Sequence, residues 1–176
     1  MFPYSDNPDA YWTGYFSSRA NDKGYIRRAS TNFHASNQLY AEKVLDQSLD
    51  DKSLKDILAA KYQMLDDLGI NQHHDAVTGT GKQAVANDYA HRLFTGMKQN
   101  NVEYSKMIDE KIKKMTGHQS TNNWELCFTT NSTYLDCPIA NYAEEKEYTM
   151  SVAVHNPSNI ELSVAEIQAP HGNYSV

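Results

Sequence analysis

The feature that most limits the architecture of this chain is a helical period running from Thr80 to Met115. Val85, Tyr89, Leu93 and Met97 recur on one face, and after Asn100-Asn101 the period resumes through Tyr104, Ile108, Ile112 and Met115. Apolar residues at this spacing predict an amphipathic helix. Its length approaches roughly 35 residues, against a typical value of about 10–14 in globular proteins. Asn100-Asn101 is where it would kink or be interrupted. Thr80-Gly81-Lys82-Gln83 has the form of a capping box, in which the threonine hydroxyl accepts from the Gln83 amide while the glutamine reaches back.

Two shorter helices are expected before it. One covers Thr31 to Leu45, with Ser30 as its cap and Phe33, Tyr40 and Val44 on a shared face. The other covers Ser53 to Leu68, capped by Ser53, striped by Leu54, Ile57, Leu58, Leu65 and Leu68, and stopped by a left-handed Gly69. Three helices with short connections predict an antiparallel three-helix bundle over residues 29–116. Residues 1–28 are crowded with aromatic and turn residues and lack a sustained helical period. In the tail, Trp124 to Phe128, Tyr148 to Val154 and Ile160 to Ile167 read as strands, with a turn at Asn156-Pro157-Ser158-Asn159. The change in period sets a boundary near Thr116-Gly117-His118, so that residues 117–176 begin an antiparallel β-domain. The expected fold class is α+β.

The chain has 176 residues, enough for one ordinary domain or two small ones. Its net charge of −6, with both signs mixed along the sequence, argues against a nucleic-acid partner, which requires a basic face. No apolar run approaches the ~18 residues of a membrane span. Met1 to Asp6 lack the basic-then-apolar order of a secretory signal.

The chemistry concentrates in Gln72-His73-His74-Asp75-Ala76-Val77-Thr78-Gly79-Thr80. Histidine is the commonest zinc ligand, and a neighbouring carboxylate can ligate, orient a ligand or accept from a polar substrate. On its own a His-His-Asp triplet is more often a polar loop. Thr78-Gly79-Thr80-Gly81-Lys82 looks superficially like a phosphate-binding loop, but Ala76 and Gln83 stand where that pattern needs glycine and a hydroxyl. His118, His155 and His171 are too scattered to form a site. Asp6 and Asp9 read as solvated loop carboxylates. Arg19, Arg27 and Arg28 read as surface or interdomain ion-pair partners.

The longer string resembles the signature of the zinc-dependent alpha-mannosidases of glycoside hydrolase family 38, closest to their lysosomal (acid) branch. The match continues through Val85-Ala86-Asn87-Asp88-Tyr89-Ala90 and recurs upstream in Tyr11-Trp12-Thr13-Gly14-Tyr15-Phe16-Ser17-Ser18-Arg19. The resemblance implies that residues 1–28 end a catalytic α/β domain and that the chain is a middle fragment of such an enzyme. It implies Zn2+ as cofactor, His74 as a zinc ligand and Asp75 as a contact to sugar hydroxyls. Trp12 becomes part of the sugar pocket, and His73 is left structural. Adjacent side chains diverge by about 100° in a helix, which fits one ligand at most from the pair. The implied reaction is retaining hydrolysis of alpha-linked mannose in glycoprotein-derived oligosaccharides, through two carboxyl groups about 5–5.5 Å apart. The nucleophile and the remaining zinc ligands are implied to lie upstream, so the isolated chain is expected to be inactive.

Cys127 and Cys137 flank the sequon Asn131-Ser132-Thr133, and Asn173-Tyr174-Ser175 is a second sequon. A sequon inside a small cysteine loop points to the secretory pathway, two free cytosolic thiols being the alternative. The resemblance implies a Cys127–Cys137 disulfide, glycosylation at Asn131 and Asn173, and a lysosomal or secretory location. Expected partners are a mannose-containing oligosaccharide and the other segments of the same enzyme. The rival readings are a non-catalytic helical scaffold or interaction module and a free-standing His/Asp metal-binding protein.

Overall fold

The computed structural model describes residues 4–46, 49–118, 124, 126, 128–129, 135–136, 151–165, 167, 169 and 172–175. Cys127, Cys137 and Asn131 lie outside them. A short antiparallel hairpin, β1 (Ser5–Asn7) and β2 (Ala10–Tyr11), opens the chain and leads into one turn of helix, α1 (Gly14–Ser17). Three long helices follow: α2 (Ala20–Leu45), α3 (Asp51–Asn71) and α4 (Gln83–Thr116). A second hairpin pairs β3 (Phe128–Thr129) with β4 (Leu135–Asp136). No helix among the described residues is long and apolar enough to cross a membrane.

Cross-helix bonds fix the directions. Asn32 meets Asn101, Ser36 meets Asn100 and Lys43 meets Glu110, so α2 and α4 run the same way. Asn71 at the end of α3 meets Tyr89 near the start of α4, so α3 runs opposite to both. Consecutive helices are therefore antiparallel, as the short connections predict. Two apolar clusters fill the bundle. Ile26, Ala29, Phe33, Met64, Leu68, Leu93 and Met97 form the one nearer the α3–α4 corner. Ala35, Leu39, Tyr40, Ile57, Tyr104 and Met107 form the other. Met64 and Leu93 are wholly buried, each contributing about 1.5–3 kcal/mol by leaving water.

A polar layer lies between the clusters. Asn100 is 0% exposed; its Nδ2 donates to Asn32 Oδ1 at 3.1 Å, and its Oδ1 accepts from Tyr40 Oη at 2.9 Å. The Asn100-Asn101 pair does not interrupt α4, because its side chains bond across to α2 instead of competing for their own backbone. Burial raises the Tyr40 phenol well above its ordinary value, and the nearby Glu103 carboxylate pushes the same way. At the end of the bundle α4 stops at Gly117, whose φ of 74° is the left-handed C-terminal cap.

Helix ends differ from expectation. α2 begins at Ala20, not Thr31, and Ser30 sits inside it. Ile26 and Ala29 are buried in the core, so packing extends a helix that sequence period alone does not show. α3 is capped by Asp50, whose side chain accepts the Ser53 N–H at 2.8 Å, and not by Ser53. Gly69 stays helical; the buried Asn71 carries α3 on by donating to Asp67 O at 2.8 Å and to Tyr89 O at 3.3 Å. The capping box at Thr80–Gln83 does not form. Lys82 precedes α4 without a side-chain cap, while Thr80 and Gln83 bond elsewhere. Val44, Leu65 and Val85, expected on apolar faces, are exposed.

Among the described residues the tail keeps its turn and, at Phe128, the end of the first expected strand, but not the other two strands. Asn156 Oδ1 accepts the Ser158 N–H at 3.0 Å, and Asn156 Nδ2 donates to Ile160 O at 2.6 Å. Residues 151–154 and 160–165 carry no strand. Alternation predicts a strand's faces, whereas a strand also needs a neighbour for its backbone groups. The tail instead lies against the helices, with Tyr104 Oη 2.6 Å from His155 Nδ1 and Gln38 Nε2 donating to Pro157 O at 2.7 Å.

Candidate functional site

The α3–α4 corner, residues 72–82, is a run of tight turns. Ala76 N donates to His73 O at 2.8 Å, Gly79 N to Ala76 O at 2.9 Å and Gly81 N to Asp75 O at 2.8 Å. Gly79 has φ 78°, the left-handed region, and a Cβ there would lie 2.6 Å from the Ser18 carbonyl oxygen. Only glycine meets both conditions without distortion.

His73, His74 and Asp75 project from this corner into solvent. His73 Nε2 lies 3.4 Å and His74 Nε2 3.5 Å from Asp75 Oδ2. The imidazole centroids are 4.3 Å apart and tilted by 57°. The two histidines thus converge, contrary to the divergence expected for adjacent residues. The 100° rule holds on a helix, and these residues lie past the end of α3 in turns.

Asp75 Oδ1 accepts the Thr80 hydroxyl at 2.8 Å, and Thr80 Oγ1 is 2.9 Å from Thr78 Oγ1. Thr78 in turn donates to His74 O. The Thr80 bond holds the Asp75 carboxyl below its ordinary pKa, aided by the two imidazoles. One carboxylate oxygen is thereby occupied and the other faces both rings. One ligand atom from each of the three side chains lies within 4.8 Å of the others. Two imidazole nitrogens and a carboxylate are the donor chemistry that zinc takes, so the residues present fit that ion.

A distant segment braces the corner. Arg19 Nε donates to Gly79 O at 3.2 Å, Nη2 to Gly81 O at 2.8 Å and Nη1 to Gln83 Oε1 at 2.5 Å. Lys23 Nζ donates to Thr78 O at 2.9 Å and Ser18 O at 2.5 Å. Burial lowers the Lys23 ammonium from its ordinary value, with Asp22 opposing. Arg19 is therefore a backbone clamp, not the ion-pair partner expected from sequence. The signal that could have found it is Gly79-Thr80-Gly81, whose backbone leaves carbonyls without helical partners.

Trp12 has separate surroundings. Its Nε1 donates to Asp6 Oδ2 at 2.7 Å, and Tyr4 meets it edge-on at 5.1 Å. Asp6 is thus engaged, although exposed. Among the described residues no hydrogen bond or ring contact joins Trp12 to His73, His74 or Asp75. Asn173 is exposed.

A helical bundle with an imidazole–carboxylate cluster at an interhelical corner, braced by the segment before the bundle, defines the class: a metal-suited helical module. The family model for the alpha mannosidase middle domain matches residues 10–115. The chain belongs to this family, as a middle segment of a family 38 alpha-mannosidase. It is 38% identical over 159 residues to a probable alpha-mannosidase of Arabidopsis thaliana, covering 89% of this chain and 14% of that protein. It is 43% identical over 98 residues to the lysosomal alpha-mannosidase of Dictyostelium discoideum, covering 54% of this chain and 9% of that protein. It is 32% identical over 157 residues to the human lysosomal alpha-mannosidase, covering 89% and 14%. The chain therefore spans only a small part of these relatives.

Proposed function

We propose that the chain is the middle segment of a zinc-dependent retaining alpha-mannosidase that releases alpha-linked mannose from glycoprotein-derived oligosaccharides in the lysosome or secretory pathway. The observation that carries this reading is the His73–His74–Asp75 donor cluster, within 4.8 Å, inside a segment matching the alpha mannosidase middle domain. His74 is the zinc ligand and Asp75 the contact to sugar hydroxyls. The His74 side chain is 82% exposed against 43% for His73, so it is the imidazole more open to an ion shared with other segments.

When bound, zinc supplies a Lewis acid for sugar hydroxyl oxygens. The chain's own residues orient and bind. Thr80 holds one oxygen of Asp75, and the carboxylate accepts from substrate hydroxyls as a charged acceptor. Trp12, its N–H held by Asp6 and its ring half exposed, offers an apolar face to a pyranose. The nucleophile, the acid/base group and the remaining ligands belong to the upstream polypeptide. The helical bundle is the middle domain, the segment before it completes that catalytic domain and residues 117–176 begin the β-domain.

A Cys127–Cys137 disulfide closes a loop glycosylated at Asn131, with Asn173 the second acceptor. The pairing of Phe128 with Asp136, the residues next to the two cysteines, supports this link. Closing such a loop contributes about 2–3 kcal/mol on a chain-entropy account. Intact-mass measurement of secreted protein checks it, and free thiols there refute the pairing.

The zinc assignment is tested in the full-length enzyme. His74→Ala loses tightly bound zinc and activity together. Asp75→Asn keeps zinc and loses turnover. His73→Ala keeps the metal. A site emptied by His73→Ala and left filled in His74→Ala reverses the assignment. Zinc-dependent hydrolysis of an aryl alpha-mannoside by residues 1–176 alone overturns the fragment reading.

A further inference from the structure

We propose that Arg19 is a positioning residue for the His–Asp cluster, acting through Thr80; this rests on the zinc reading above. The Gly79 and Gly81 carbonyls stand on either side of Thr80, and one guanidinium holds both, at 3.2 and 2.8 Å. Thr80 passes the constraint on, donating to Asp75 Oδ1 at 2.8 Å. Gly81 N, in the peptide unit after Thr80, donates to the Asp75 carbonyl at 2.8 Å, so Asp75 is fixed by side chain and backbone together. With Oδ1 occupied, Oδ2 is the oxygen beside both imidazoles.

Two features of Arg19 mark this clamp as more than helix architecture. Its backbone is left-handed, φ 50° and ψ 53°, a conformation that non-glycine residues rarely adopt. It also sits at the N-terminus of α2, the end of a helix dipole that disfavours a cation. Three bonds from its planar fork to acceptors 60, 62 and 64 residues away compensate for both. Asp75, Thr80 and the two imidazoles are all exposed, so no burial holds their geometry. Lysine offers a single point of charge and cannot span Gly79 O, Gly81 O and Gln83 Oε1 at once.

The experiment compares Arg19→Lys, Arg19→Ala, Thr80→Val and Thr80→Ser in the full-length enzyme. Affinity for mannose is read by calorimetry on the zinc-loaded enzyme, zinc content by chelator competition and folding by thermal denaturation. Asp75 is the sugar contact and not a zinc ligand, so Arg19→Lys and Thr80→Val are expected to weaken mannose binding about 10–100-fold, the range typical for loss of an orienting partner, with zinc retained. Thr80→Ser, which keeps the hydroxyl, restores affinity to near wild type. Guanidinium ion added at sub-denaturing concentration to Arg19→Ala recovers part of the loss by refilling the clamp. Folded Arg19→Lys and Thr80→Val that both bind mannose as wild type does overturn the positioning role. Should the Arg19 variants fail to fold, wild-type affinity in Thr80→Val alone overturns it. Wild-type enzyme without stoichiometric zinc, or His74→Ala with undiminished zinc, overturns the metal reading instead.

Discussion

Gly79→Ala is the substitution that most directly tests how the corner is built. Its φ of 78° puts an alanine in the left-handed region, at a cost of about 1–2 kcal/mol. The new Cβ would also stand 2.6 Å from Ser18 O and 2.9 Å from Ser18 C. Those are backbone atoms, and the Ser18 carbonyl is tied down by Lys23 Nζ at 2.5 Å. Overpacking against atoms that cannot rotate away adds about 1–3 kcal/mol. Alanine's smaller unfolded-state entropy returns about 0.4–1 kcal/mol. The net loss is about 1–4.6 kcal/mol, or roughly 2–18 °C in Tm for a chain of this size. Gly117→Ala separates the two causes: φ is 74°, but nothing lies within 4 Å of its Cβ position. It should cost only the conformational part, about 1 kcal/mol. Urea titration of both variants, with m-values compared, gives the difference. Equal costs within about 0.5 kcal/mol would refute the close approach of Ser18 to Gly79.

Gly69→Ala should stabilise by up to about 1 kcal/mol, since the residue is helical with open space at its Cβ position; a loss of stability would restore it as a left-handed stop. Gly96→Ala should destabilise by about 1–3 kcal/mol despite its helical site. Its Cβ would lie 2.4 Å from Oδ2 of the buried Asp67, which accepts from Gln63 Nε2 at 2.9 Å; unchanged stability in urea would refute that contact. Burial holds the His155 imidazole below its ordinary 6.5, with Lys111 acting the same way and Glu42 opposing. The folded state therefore binds fewer protons than the unfolded one just below pH 6.5, and stability is lost as pH falls through that window, levelling below the depressed folded value. Hydrogen exchange of the 151–160 segment across pH 7 to 5 checks this; protection that rises on acidification refutes the sign.

The three helices and their up-down-up order were legible because each carries a stripe at the helical period and the connections are too short for any other course. The His73-His74-Asp75 donor cluster was legible because the motif is local and contiguous. The ends of the elements were not. The apolar spacing near Ile26 is too sparse to announce a helix, yet Ile26 and Ala29 bury against Met64 and Leu93. Gly69 reads as a stop because glycine loses about 1 kcal/mol in a helix, but the Asn71 bonds across to α4 outweigh that local preference. Asn100-Asn101 reads as a break until Asn32, Ser36 and Tyr40 are brought opposite.

The sequence by itself determined the helical period, the family and the residue types of the metal-suited cluster. Only the tertiary structure decided which way those side chains face. His73 and His74 converge on Asp75 through turns whose backbone is held by Arg19, from a segment about 60 residues earlier. The physical reason is range. Propensity and periodicity act within a few residues, whereas an exposed loop's geometry is set by hydrogen bonds from whatever the bundle places beside it.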